Sequence, residues 1–138
     1  MSPYTVEIRK PTISEYQSLR ASTGWGSIED ASVGKALKKD LFSVCIVHQK
    51  EVVGMGRVIG DGAIYFYIQD VIVLPEHKGK GMGSLIMEQI ERFLLENAKA
   101  NAFIGLMAAT GVKDFYKRFG YLERPPQGPG MYKVVQKS

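Results

Sequence analysis

Residues 65–84 read YFYIQDVIVLPEHKGKGMGS, and the fold turns on how this stretch divides. From Tyr65 to Leu74 it is apolar and rich in β-branched and aromatic residues, the composition of a buried strand. Pro75 has no N–H to give to a ladder and ends the strand. Lys78, Gly79, Lys80, Gly81, Met82 and Gly83 follow, and Met82, Ile86, Ile90 and Phe93 or Leu94 then recur at helical spacing. A strand therefore feeds a glycine-rich, doubly basic loop that opens a long helix. Glycines there let backbone N–H groups approach a phosphate, and the helix N-terminus adds partial positive charge. A plain solvated turn is the alternative for the same residues.

Working outward, Tyr4–Arg9 alternates like a first strand, and Thr12 or Ser14 caps a helix carrying Tyr16 and Leu19. A loop at Ser22–Ser27 precedes a short helix near 29–39 with Val33, Ala36 and Leu37 turned inward. The runs Leu41–Val47 and Val52–Ile59, joined through residues 48–51, read as a hairpin, and Gly60-Asp61-Gly62 turns the chain into the strand at 64–74. The long helix covers about 82–99 by periodicity. Ala102–Ala108 is another strand, and a short helix over Asp114–Phe119 ends at Gly120. Tyr121-Leu122 and Met131–Val135 read as a closing pair of strands. This order predicts one mixed α/β layered domain over 1–138 with helices on both sheet faces.

With 45% apolar and 23% charged residues, the composition is that of an ordinary globule. The N-terminal residues lack the apolar core of a signal peptide and no window reaches a membrane-spanning length, which predicts a cytoplasmic protein that does not enter membranes. The single cysteine, Cys45, sits in an apolar run and reads as a packed thiol. A net charge of +4 is modest, and the basic residues are scattered rather than clustered, so nucleic acid is not the expected partner.

Which phosphate ligand the loop takes is narrowed by what it lacks. GxxxxGK[ST] is absent, and glycines 79, 81 and 83 give GxGxG rather than GxGxxG. Lys78-Gly79-Lys80-Gly81-Met82-Gly83 instead resembles the acyl-CoA loop of the GNAT acetyltransferases, [RQ]xxGx[GA], with Lys78 where the family has arginine or glutamine. Gln69-Asp70-Val71-Ile72-Val73-x-Pro75 resembles that family's central strand, and Asp114-Phe115-Tyr116-x-x-x-Gly120-Tyr121 resembles its FYxxxGF motif. The three lie in the family's order. The resemblance implies a mostly antiparallel sheet of about six or seven strands. It also implies acetyl-CoA as co-substrate, bound by Val71, Ile72, Val73, Lys78, Gly79, Lys80, Gly81, Met82, Gly83 and Ser84. A homodimer joined through the C-terminal strands is a family trait.

The implied reaction is direct attack of an amine on the acetyl thioester. It needs the amine deprotonated, the oxyanion stabilised and the departing thiolate protonated. By resemblance Tyr116 meets the third need, since a phenol is protonated at neutral pH. A packed aromatic is its bland alternative. Asp70 is the base candidate because a lone carboxylate in an apolar strand is costly unless paired or facing a cleft. Its alternatives are a turn cap or a partnership with a lysine or Arg57. Simple alternation also aims Asp70 away from Tyr67, Gln69 and Val71 unless a bulge intervenes. Gln69 orients a water or the acceptor, and the N–H of Val71 or Ile72 is the oxyanion donor. Trp25, between two glycines, is either part of an acceptor pocket or a core anchor. His48 and His77 read as surface residues, no metal cluster is spaced for ligation, and the methionines and the stripe Leu85, Ile86, Ile90, Phe93 and Leu94 read as core. The expected function is acetylation of a small-molecule primary amine. The alternatives are a non-catalytic acyl-CoA-binding regulatory domain and an acetyltransferase acting on protein amines.

Overall fold

A computed structural model describes residues 3–136. Its elements are β1 (Tyr4–Glu7), α1 (Ile13–Ala21), α2 (Asp30–Lys38), β2 (Phe42–His48), β3 (Glu51–Gly60), β4 (Tyr65–Val73), α3 (Met82–Asn97), β5 (Phe103–Leu106) and α4 (Lys113–Lys117), with one 3-10 turn at Pro75–His77. The chain divides into two compact units, residues 1–107 and 108–138. All five strands belong to the first unit, in the order β1-β2-β3-β4-β5. The first three pairings are antiparallel and β4–β5 is parallel, with α3 as the crossover.

Local chemistry sets these elements. Thr12 rather than Ser14 caps α1. Its hydroxyl accepts the Glu15 N–H at 3.1 Å and its own N–H reaches the Glu15 carboxylate at 2.8 Å, a reciprocal capping box. The β2–β3 hairpin turns through Gln49 and Lys50, both left-handed (φ 49° and 69°), the twist-matched two-residue connection. At the β3–β4 turn the Asp61 carboxylate accepts N–H groups of Ala63, Ile64 and Tyr65 at 2.8–3.0 Å, and these bonds hold its pKa below the usual range.

One sheet face carries Cys45, Met55 and Ile72, packed with Tyr16 and Leu19 of α1 and Val33 and Leu37 of α2. Burial pushes the Cys45 thiol up to about 11, so it packs as an inert apolar group. The other face lies under α3. A side chain at Gly56 would run into Ile86 and Ile90, which are fully buried, and the Phe93 ring stacks on Phe42 at 4.9 Å. Truncating either isoleucine would cost about 2–5 kcal/mol.

Four readings are corrected. The described residues hold five strands, not six or seven, because 121–122 and 131–135 are not strands. Alternation in Met131–Val135 supplies a pattern but no hydrogen-bonding neighbour, and Leu122, Met131, Tyr132, Val134 and Val135 are exposed. Ala36 faces solvent, since Val33 and Leu37 already fill the inner stripe of α2. The long helix ends at Asn97, where Ala98 leaves for extended backbone. Met55, Met82 and Met87 are core, but Met107 and Met131 are exposed. Among the described residues no helix is long and apolar enough to cross a membrane.

Candidate active site

Strand β4 carries one residue too many for its partner. Met55 pairs with Ile72 and Arg57 with Gln69, so Gly56 alone faces Asp70 and Val71. Asp70 takes up the excess in the left-handed region, at φ 55°. Before this bulge, Phe66 turns toward Phe93 of α3. After it, Ile72 of the same parity joins the α1/α2 cluster. The bulge therefore aims Asp70 to the α1 side together with Gln69, and Val71 falls on the opposite face.

The α1 side of the bulge is a closed polar network. Arg57 donates from Nη1 to Asp70 Oδ2 at 2.6 Å, and from Nε and Nη2 to Asp40 at 2.7–3.1 Å. Tyr16 donates its hydroxyl to Asp70 Oδ2 at 2.8 Å, and Ser43 donates to Asp40 at 2.8 Å. Arg57, Asp70 and Ser43 are buried. Burial pulls the Arg57 guanidinium down, but its hydrogen bonds and charges with Asp40 and Asp70 outweigh that and hold it above its usual value. Tyr16 is raised by burial first and by the Asp70 charge second. No buried side-chain nitrogen or oxygen lacks a partner among the described residues. Gln69 Nε2 stands 3.5 Å from Asp70 Oδ1, so this oxygen is the less engaged one.

Among the described residues, the other edge of β4 has a strand partner along only part of its length. β5 pairs with β4 only from Tyr65 to Ile68. Leu74 N–H bonds to Val53 of β3 at 2.9 Å, so by antiparallel alternation Ile72 also turns its backbone to β3. Val71 and Val73 then direct theirs to the unpaired edge. Of the two N–H groups expected as oxyanion donors, alternation turns that of Val71 to the unpaired edge, and the Ile72 side chain is committed to the core.

Past the 3-10 turn, Gly79 (φ 78°) and Gly81 (φ 85°) take left-handed backbone, and a Cβ at either would meet no atom within 4 Å. Gly81 is the N-cap of α3, and no side chain caps this end. The first-turn N–H groups of Met82, Gly83 and Ser84 have no intrahelical acceptor. The Met82 side chain is buried, so it offers the loop only its backbone. Lys78 and Lys80 are exposed beside this cradle. Open space, free donors and two cations suit a pyrophosphate.

Trp25 lies on the loop between α1 and α2, 42% exposed, so it is no core anchor. Arg20 stacks over its ring at 5.8 Å and donates to the Tyr16 hydroxyl at 3.2 Å, tying the loop to the Asp70 network. His48 and His77 are half-buried and pack with Tyr4, whose hydroxyl lies 2.9 Å from His77 Nδ1.

In the second unit Tyr116 lies on α4, its ring 5.1 Å from that of Phe115. Its carbonyl accepts from Phe119 and Tyr121, across the left-handed Gly120. Burial raises its phenol above the ordinary value. A pocket of about 470 Å³ in this unit is lined by Ala108, Ala109, Thr110, Gly111, Lys113, Asp114 and Glu123, without Tyr116.

The family model described as Acetyltransferase (GNAT) domain matches residues 13–128, across both units. The chain belongs to the GNAT acetyltransferase family. It is 39% identical over 85 residues to GCN5-related N-acetyltransferase 2, chloroplastic, of Arabidopsis thaliana, covering 61% of this chain and 32% of that protein. It is 32% identical over 132 residues to histone acetyltransferase TAP1 of Glycine max, covering 87% and 56%. The chain thus spans about a third and just over half of the length of these two curated relatives. Among solved structures, a Staphylococcus aureus protein of unknown function described as a probable acetyltransferase is 32% identical with a TM-score of 0.90, covering 96% of this chain and 99% of that one.

In this GNAT chain, sequence reasoning passed over Asp40, Tyr16 and Arg20 as site residues. One signal was available: Arg57 interrupts the apolar run VVGMGRVIG, and an arginine buried there needs carboxylate partners.

Proposed function

We propose that the chain moves the acetyl group of acetyl-CoA directly to a primary amine of a small molecule, with residues 1–138 acting as one catalytic domain. The observation that carries this reading is the free β4 edge at Val71 and Val73, which runs on to the uncapped start of α3. Val71 and Val73 hold the acyl arm by strand-like hydrogen bonds, and Gly79 to Ser84 hold the pyrophosphate by backbone N–H groups, with Lys78 and Lys80 adding charge. Bound acetyl-CoA supplies the activated thioester. The Val71 N–H steadies the developing oxyanion. Asp70 Oδ1 accepts the amine proton while Oδ2 stays engaged with Arg57 and Tyr16. Gln69 and Trp25 face the acceptor, and Tyr116 donates to the departing sulfur.

The direct test offers acetyl-CoA with a panel of small amines and reads free thiol release. No release with any amine, from protein that binds acetyl-CoA, would leave the acyl-CoA-binding regulatory reading in its place. Tyr116→Phe should fold and bind acetyl-CoA normally, with turnover down about 10- to 100-fold. Because burial raises this phenol above the usual 10, the deficit should persist from pH 7 to 9 and shrink only at higher pH, where the wild-type phenol ionises. Wild-type rates in the variant across that range would leave Tyr116 a packing residue. A second reading, acetylation of protein amines, is favoured by the likeness to a relative named a histone acetyltransferase. Mass spectrometry of histone and N-terminal peptides after incubation separates the two.

A further inference from the structure

The loop between α1 and α2 is held open by α1 itself. Gln17 donates to the Ile28 carbonyl at 2.6 Å and to Asp30 at 3.0 Å. Arg20 Nε donates to the Gly26 carbonyl at 2.9 Å. Two apolar side chains, Trp25 and Ile28, are left exposed on the pinned loop. Arg20 is half-buried and fixed at three places: Gly26, the Tyr16 hydroxyl and the indole face. Among the described residues no carboxylate pairs with it, and its Nη2 makes no hydrogen bond. A guanidinium already ordered, with one edge open and no counter-ion, has lost little of its capacity for an anion and most of its freedom. Its place is set by the reaction edge, because Tyr16 bridges it to Asp70, the residue before Val71.

Resting on the acetyl transfer proposed above, we propose that the acceptor is an amine that also carries a carboxylate on an apolar body. Arg20 Nη2 takes the carboxylate in a charge-assisted hydrogen bond, and Trp25 and Ile28 cover the body. The same arrangement works against polycations. Arg20 already occupies the indole face that an ammonium would seek, and a second cation there meets like charge. The acceptor amine points past Tyr16 toward the Val71 edge.

The test uses pairs of amines that differ only by a carboxylate, phenylalanine with phenethylamine and 5-aminopentanoate with butylamine, together with spermidine. Rates with acetyl-CoA are compared on free-base concentration, so that differences in amine basicity drop out. In at least one pair the carboxylate member should show kcat/KM higher by about 10- to 100-fold, the scale of a charged hydrogen bond. Arg20→Gln should erase that preference by raising KM for the carboxylate member alone, while calorimetry gives an unchanged Kd for acetyl-CoA. Arg20→Lys, which keeps the charge without the fork, should recover part of it and serves if Arg20→Gln melts early. Wild-type preference for the plain amines or for spermidine would overturn the proposal, as would an equal effect of both Arg20 variants on both members of a pair. Turnover of none of the five amines by protein that binds acetyl-CoA also counts against it. Failure to bind acetyl-CoA at all would instead refute the transferase reading beneath it.

Discussion

Arg57→Leu should lower folding stability by about 3–5 kcal/mol. The substitution leaves Asp40 and Asp70 close together without the guanidinium that joins them, in a site where Asp70 is buried. Uncompensated buried carboxylates are far more costly than the ion pair was favourable. For a chain of this size the melting temperature should fall by roughly 10 °C or more. Urea unfolding at neutral pH measures it, and a loss below about 0.5 kcal/mol would show that water reaches and satisfies both carboxylates. Replacing Asp40 and Arg57 by apolar residues of similar size, together with Asp70→Asn to suit the left-handed backbone, should restore much of the stability. Asp70→Asn separates the two roles in a finer way. Asparagine tolerates the left-handed backbone and still accepts from Arg57 and Tyr16, so folding should change little. Turnover should drop by roughly 10²-fold if the carboxylate takes the amine proton. An unchanged pH–rate profile would assign the proton to water.

Gly81→Asp should abolish measurable acetyl-CoA binding, with at least about a 100-fold rise in Kd. Nothing lies within 4 Å of the added Cβ, so the fold has room for the side chain. The new carboxylate would sit at the start of α3 and put negative charge where a pyrophosphate must come. Because Gly81 is left-handed (φ 85°), a side chain there strains the backbone even with room around it, so the melting temperature of the unliganded protein should stay the same or fall slightly, and the stabilisation that added acetyl-CoA gives should disappear. Gly81→Asn is the control, because it loads the left-handed backbone to a similar degree without adding charge. If both variants bind as tightly as the wild type by calorimetry, the phosphates lie elsewhere.

The parts of this fold that were legible in sequence are those encoded locally. The strand, the glycine loop and the helix follow one another between Tyr65 and Asn97, and each announces itself by period or by punctuation. The hairpin at Gln49-Lys50 and the turn at Asp61 were readable for the same reason. Of the Asp70 network only the pairing with Arg57, 13 positions away, was readable as an alternative; Asp40 and Tyr16 lie 17 positions from Arg57 and 54 from Asp70 and meet them only after the sheet is paired. Alternation alone aimed Asp70 away from Gln69, and only the bulge, which has no period and whose αL residue is an aspartate rather than a glycine, brings the two to one side. The C-terminal segment was over-read for the converse reason. Met131–Val135 has the composition of a strand, yet a strand is defined by a partner, which composition does not name.

Shortening a strand by one residue normally turns all that follows inside out. Residue 70 is the exception in β4. Because Asp70 is the surplus member of a two-against-one pairing, a chain lacking it would keep Phe66 and Ile68 toward α3, Ile72 toward α1, and Val71 on the face it has now. The carboxylate is thus carried by a position the pleat does not use. Its chemistry can be removed, or exchanged for another residue that accepts left-handed backbone, while the sheet retains its reading frame.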